Sequence, residues 1–136
     1  MATINEKYGF NAGKIWNTLN TYGPLNETTL IKKTNLGKNE FWAAIGWLAR
    51  ENKVFWDGRY WQLGETNLTY NIGQKAGEIY NLLYTMKEAN ITYITNKIST
   101  SEKDTFYAVG WLAREDKIHI VKDRTKTNSW KVKLKY

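Results

Sequence analysis

The sequence predicts an α+β, mainly α protein made of two tandem copies of one small module, three helices followed by a β-hairpin. Three observations predict it. The six residues GWLARE at positions 46–51 recur unchanged at 110–115. A shift of 64 aligns residues 9–56 with residues 73–120 without a gap and with 18 identities over 48 positions, which marks a duplicated unit. Within each copy the apolar residues first recur at helical spacing and then alternate as in strands.

In copy one, Ala12, Ile15, Trp16 and Leu19 share one face and predict a first helix over 11–22, ended by Gly23-Pro24. A short second helix over 27–34 carries Leu30 and Ile31, and Asn35-Leu36-Gly37 makes the turn that follows. The third helix, over 38–52, buries Phe41, Ala44, Ile45 and Leu48 as one stripe. The segment KVFWDGRYWQLG then reads as a hairpin with Asp57-Gly58 as a two-residue turn, pairing Trp56 with Arg59 and Val54 with Trp61. Val54, Trp56, Trp61 and Leu63 fall on one face, Phe55 and Tyr60 on the other.

Copy two repeats the order. Ala76, Ile79, Tyr80 and Leu83 give the first helix, and Ile94 and Ile98 mark the second. Ser99-Thr100-Ser101 offers caps for the third, over 102–116. A strand over 118–121, a polar loop over 122–128 and the return strand WKVKLKY complete the copy. In the return strand Lys131, Lys133 and Lys135 point away from Trp130, Val132, Leu134 and Tyr136, a lysine comb on a half-buried strand. The copies are expected to occupy residues 1–66 and 67–136, joined by the short polar link GETNLTYN.

Three helices and a hairpin are the order of a winged helix-turn-helix domain. The pattern Gly9, Ala12, Gly13, Ile15, Trp16, then 44–51, Lys53 and Val54 resembles a family of small bacterial winged helix-turn-helix domains of unknown function. Copy two matches at Ile72, Gly73, Ala76, Gly77, Ile79, then 108–115, Lys117 and Ile118. The resemblance implies the fold of both copies; the tandem arrangement departs from the family's usual single copy. It implies no activity, because function resides in sites rather than folds.

Composition narrows the chemistry. The chain of 136 residues has no cysteine, which excludes disulfides, thiolate metal sites and cysteine nucleophiles. No secretory signal and no membrane span is read, so the expected location is the cytoplasm. His119 is the one histidine; it falls at an outward strand position without an obvious catalytic partner, and reads as a surface residue. The Gly-x-x-x-Gly at Gly9 and Gly73 lacks the lysine of a phosphate loop. No enzyme activity, cofactor or metal is expected.

Of the net charge of +7, residues 117–136 carry +6, which points to a polyanion and first to duplex DNA. The expected contacts are Lys122, Arg124, Lys126, Lys131, Lys133 and Lys135 on the wing, with Lys103, Arg114 and Arg50 as further candidates. A charged strand edge that only resists aggregation is the plainer reading.

The third helices fit a groove poorly. Their outer sides carry Trp42 and Gly46 in copy one, Phe106, Tyr107 and Gly110 in copy two, with Glu40 and Asp104 nearby. A mid-helix glycine costs about 1 kcal/mol relative to alanine and suits a close backbone approach. Trp42, Gly46, Phe106, Tyr107 and Gly110 are therefore expected at an interface, either between the copies as a pseudo-twofold dimer or with another chain. The alternative to DNA binding is a protein-interaction adaptor, for which outward Phe55 and Tyr60 are suited.

Overall fold

The computed structural model describes residues 2–125 and 129–136. Copy one comprises α1 (Ile4–Tyr22), α2 (Glu27–Thr34), α3 (Lys38–Arg50), β1 (Val54–Trp56) and β2 (Trp61–Leu63). A π-helical turn at Thr69–Gly73 leads into α4 (Gln74–Met86), followed by β3 (Glu88–Asn90), α5 (Ile91–Lys97), α6 (Glu102–Arg114), β4 (Ile118–Lys122) and β5 (Trp130–Leu134).

Helix α1 starts seven residues before the expected 11, because Thr3 and Glu6 form a capping box: the Thr3 hydroxyl accepts from Glu6 N–H, and the Glu6 carboxylate accepts from Thr3 N–H. The early start carries the chain across to copy two. Tyr8 is buried there among Ala76, Phe106 and Val132. Its counterpart 64 residues on, Ile72, is buried in the core of copy one with Ile15, Phe41 and Trp61. Each copy thus lends its leading turns to the core of the other.

The first hairpin differs from the expected register. Val54 pairs with Leu63 and Trp56 with Trp61, leaving residues 57–60 as the loop. The cause is Asp57, whose Oδ1 accepts from the N–H of Arg59 (2.8 Å) and Tyr60 (2.7 Å). Only Gly58 takes a positive φ, whereas the two-residue turn needs two such residues. The slip is by two, so the faces are unchanged: Trp56 and Trp61 meet with ring centres 4.7 Å apart.

The second hairpin belongs to a three-stranded antiparallel sheet ordered β3-β5-β4. Strand β3 is absent from the sequence reading, since Glu-Ala-Asn has little strand propensity. It forms because β5 offers it an edge, Ala89 pairing with Val132.

Candidate nucleic-acid interface

The duplicated GWLARE motif is the seam between the copies. Helices α3 and α6 cross so closely that a Cβ on Gly46 would lie 1.8 Å from the Tyr107 carbonyl oxygen. A Cβ on Gly110 would lie 1.8 Å from that of Ala43, the counterpart of Tyr107. Trp47 covers Gly9 and Trp111 covers Gly73. Arg50 Nε donates to Glu115 at 3.0 Å and Arg114 Nε to Glu51 at 2.9 Å. Each guanidinium also lies over the other copy's tryptophan, 5.7 Å from Trp111 and 5.8 Å from Trp47. Each contact recurs with the copies exchanged.

Of the residues expected at an interface, Gly46, Phe106, Tyr107 and Gly110 are buried and Trp42 is half-buried, packed against both cores. Burial pushes the Tyr8 and Tyr107 hydroxyls far above the usual tyrosine range. Carboxylates add to it, Glu40 beside Tyr8, and Glu27 and Asp104 beside Tyr107.

A second reciprocal feature braces the wings. Asn5, in the first turn of α1, donates to Ile118 O (2.8 Å) and accepts from Ile120 N–H (3.1 Å) on β4 of copy two. Asn67, at the start of copy two, accepts from Trp56 N–H (3.1 Å) and donates to Trp56 O (2.6 Å) on β1 of copy one. A side-chain amide sets a donor NH2 beside an acceptor oxygen, the arrangement a neighbouring strand would present.

The nine basic residues expected to meet nucleic acid separate into groups. Arg50 and Arg114 lie in the seam, and Lys103 donates to Glu27 of copy one at 3.1 Å. The comb lysines have acidic neighbours: Glu88 on β3 lies 3.9 Å from Lys131 and 3.7 Å from Lys133, and Asp116 binds Lys135 and raises its pKa. Lys122 and Arg124 are exposed and in no ion pair among the described residues. Lys126 lies outside the described residues.

Two further cations join Lys122 that the sequence reading leaves aside, Lys7 of α1 and Lys38 at the start of α3. All three line one cavity of about 430 Å³ where the second wing overhangs copy one. The signal for Lys7 was the Thr3–Glu6 capping pattern, which extends α1 far enough to carry it. His119 is exposed on β4, opposite Lys133. Among the described residues no His, Asp and Glu cluster could hold a metal ion, and no helix is long and apolar enough to cross a membrane.

The comparisons agree with this duplicated architecture. Residues 3–63 and again residues 67–133 match the winged helix-turn-helix domain family DUF2582. The chain is also similar to "Uncharacterized protein MJ1608" of Methanocaldococcus jannaschii, 42% identical over 66 residues, which is 47% of this chain and 90% of the relative. That relative therefore matches about one copy's length. No solved structure matches significantly.

Proposed function

Because the chain belongs to the winged helix-turn-helix domain family DUF2582, a fold that fits a DNA-binding or regulatory role, we propose that it is a non-enzymatic protein that grips duplex DNA by its phosphates through the wing of copy two. The two copies act as an intramolecular pseudo-twofold dimer, with residues 1–66 and 67–136 as its halves. Its third helices cannot enter a major groove in the usual way, since they spend their outer faces on each other. Binding accordingly reads little sequence.

One observation carries the proposal: three exposed lysines in no ion pair among the described residues, Lys7, Lys38 and Lys122, line one cavity where the second wing meets the start of α1 and α3, and Arg124 follows two residues after Lys122. The comb lysines extend that surface. Their pairs with Glu88 and Asp116 lie at the surface, where water and salt weaken them, and yield to phosphate. Arg50, Arg114 and Lys103 hold the copies together instead.

Anisotropy titration of a labelled duplex at several salt concentrations tests this. Contact with about four to six phosphates gives a log–log slope of roughly −4 to −5. The Arg124→Gln/Lys133→Gln variant flattens it by about two for all duplexes alike. Absence of binding at low salt overturns the proposal. The protein-docking alternative is favoured by the exposed rings of Phe10 (65%), Tyr70 (75%) and Tyr84 (66%). It gains if purified chain captures acidic proteins while ignoring duplex.

A further inference from the structure

The cavity under the second wing has properties that phosphate gripping does not require. Its floor is aromatic: Tyr8 and Phe106, both in the shared core, and Trp130, which meets Phe106 edge-on at 5.9 Å and 84°. Its rim holds three lysines from three different elements, Lys7, Lys38 and Lys122. Against them stands one carboxylate, Glu40, with one oxygen bound to the Gly37 N–H at 3.2 Å as a helix cap. Like charges around one mouth repel each other, and an anion between them relieves that repulsion. The volume of about 430 Å³ lies within the range of about 300–1,000 Å³ that small-molecule sites occupy.

The duplication supplies an internal control. The equivalent hollow in the other half is about 200 Å³ and is lined by Asn71, Ile72, Lys75 and Asp104. There the counterparts of Lys7 and Tyr8 are Asn71 and Ile72, and that of Lys38 is Glu102. Nor does it have a roof, because the wing of copy one ends at the Trp56–Trp61 pair, while β4 and β5 continue to Lys122–Trp130. The scaffold alone thus makes a small hollow without aromatic rings; the longer wing and the lysines are particular to one half.

We propose that this cavity binds a small planar aromatic molecule bearing one anionic group, of the nucleoside monophosphate class. The half-buried ring of Trp130, backed by the buried rings of Tyr8 and Phe106, offers the base an apolar surface. The lysines take the phosphate as mobile point charges rather than a fixed fork. The proposal goes beyond duplex binding, and its test uses residues outside the DNA variant above.

Calorimetry of the full chain with AMP, adenosine and inorganic phosphate decides it. AMP binds, while adenosine and phosphate each bind at least tenfold more weakly. The Lys7→Gln/Lys38→Gln/Lys122→Gln variant, altered only at exposed positions, loses tenfold or more in AMP affinity. Lys75→Gln in the other hollow changes nothing, and Arg124→Gln/Lys133→Gln keeps AMP binding while its duplex salt slope falls. No AMP binding at millimolar concentration overturns the proposal. So does a triple variant that binds as the parent does, or phosphate that binds as tightly as AMP.

Discussion

Copy one and copy two share their helices and differ in their wings, and one position at the exit of the first helix accounts for much of the difference. Pro24 stands where copy two has Glu88. Proline has no N–H to give a ladder, and copy one's pairing there shrinks to the single bridge Leu25–Trp61. In copy two, Glu88, Ala89 and Asn90 pair with Lys133, Val132 and Lys131. The preceding residues are Gly23 (φ +79°) and Lys87 (φ +70°). A lysine in that region costs on the order of 1–3 kcal/mol, offset where Leu134 N–H bonds Lys87 O at 2.8 Å. A duplicated module therefore keeps its crossing helices fixed while its wing varies. The third strand also brings Glu88, the acid that faces two comb lysines.

Forcing the shared seam apart disturbs both copies most. Gly46→Leu or Gly110→Leu drives a side chain into a backbone carbonyl that already stands 1.8 Å from the would-be Cβ. Overpacking of this kind costs about 3 kcal/mol or more when backbone has to move. Urea denaturation reads it. Equal losses for the two variants support a seam that both copies share; a loss at only one glycine breaks the symmetry.

Alkali separates the copies more finely. Tyr8 and Tyr107 have hydroxyl pKa values raised by burial, then by nearby carboxylates. A raised folded pKa means stability is fully present below the unfolded value, near 10, and is lost as pH rises above it. The loss reaches about 1.4 kcal/mol per pH unit for each tyrosine. Thermal melts between pH 9 and pH 11.5, a window of about that range, show the decline. Tyr8→Phe and Tyr107→Phe each remove a share of it. The counterparts Ile72 and Ala43 do not ionise, so the effect comes from one residue of each exchanged pair. A decline that neither variant reduces counts against burial as its cause.

The braces come next in size. Asn5→Ala removes two hydrogen bonds to β4, and Asn67→Ala two to β1; each costs about 1–2 kcal/mol. Hydrogen exchange identifies which wing loosens. Asn5→Ala speeds exchange at Ile120 in copy two, and Asn67→Ala at Trp56 in copy one. Faster exchange only within the copy that carries the substitution contradicts the crossing of the arms.

The sequence was most informative where a residue's neighbours are close in the chain or repeated along it. Helical stripes and the Gly23-Pro24 stop are local, and the matching glycines at 46 and 110 announce a close approach, whereas the Asp57-Gly58 signal placed the first hairpin but not its register. What stayed hidden depends on distant partners. Tyr8 reads as one more aromatic until the capping box at Thr3 and Glu6 extends α1 toward copy two. Strand β3 exists only because β5 passes beside it. Lys38, Lys7 and Lys122 lie far apart in sequence and converge only across the seam. Charge counting favoured residues 117–136, but could not show that Glu88 and Asp116 reach three of those lysines while Lys122 and Arg124 are in no ion pair among the described residues.

The smallest predicted effect has the opposite sign, and the same repeat supplies it. Gly13 and Gly77 are also paired mid-helix glycines, yet a Cβ at either would meet nothing within 4 Å. With no clash to offset it, alanine there gains helix propensity and reduces the freedom of the unfolded chain, about 0.5–1 kcal/mol per site. Gly13→Ala and Gly77→Ala should therefore each raise Tm by a few degrees, while Gly46→Ala lowers it. Because the two sites lie in different copies, their gains should add. If either substitution lowers Tm instead, that face of the first helix is covered in solution by something a methyl group disturbs. A second chain is the first candidate, and a concentration-dependent Tm would reveal it.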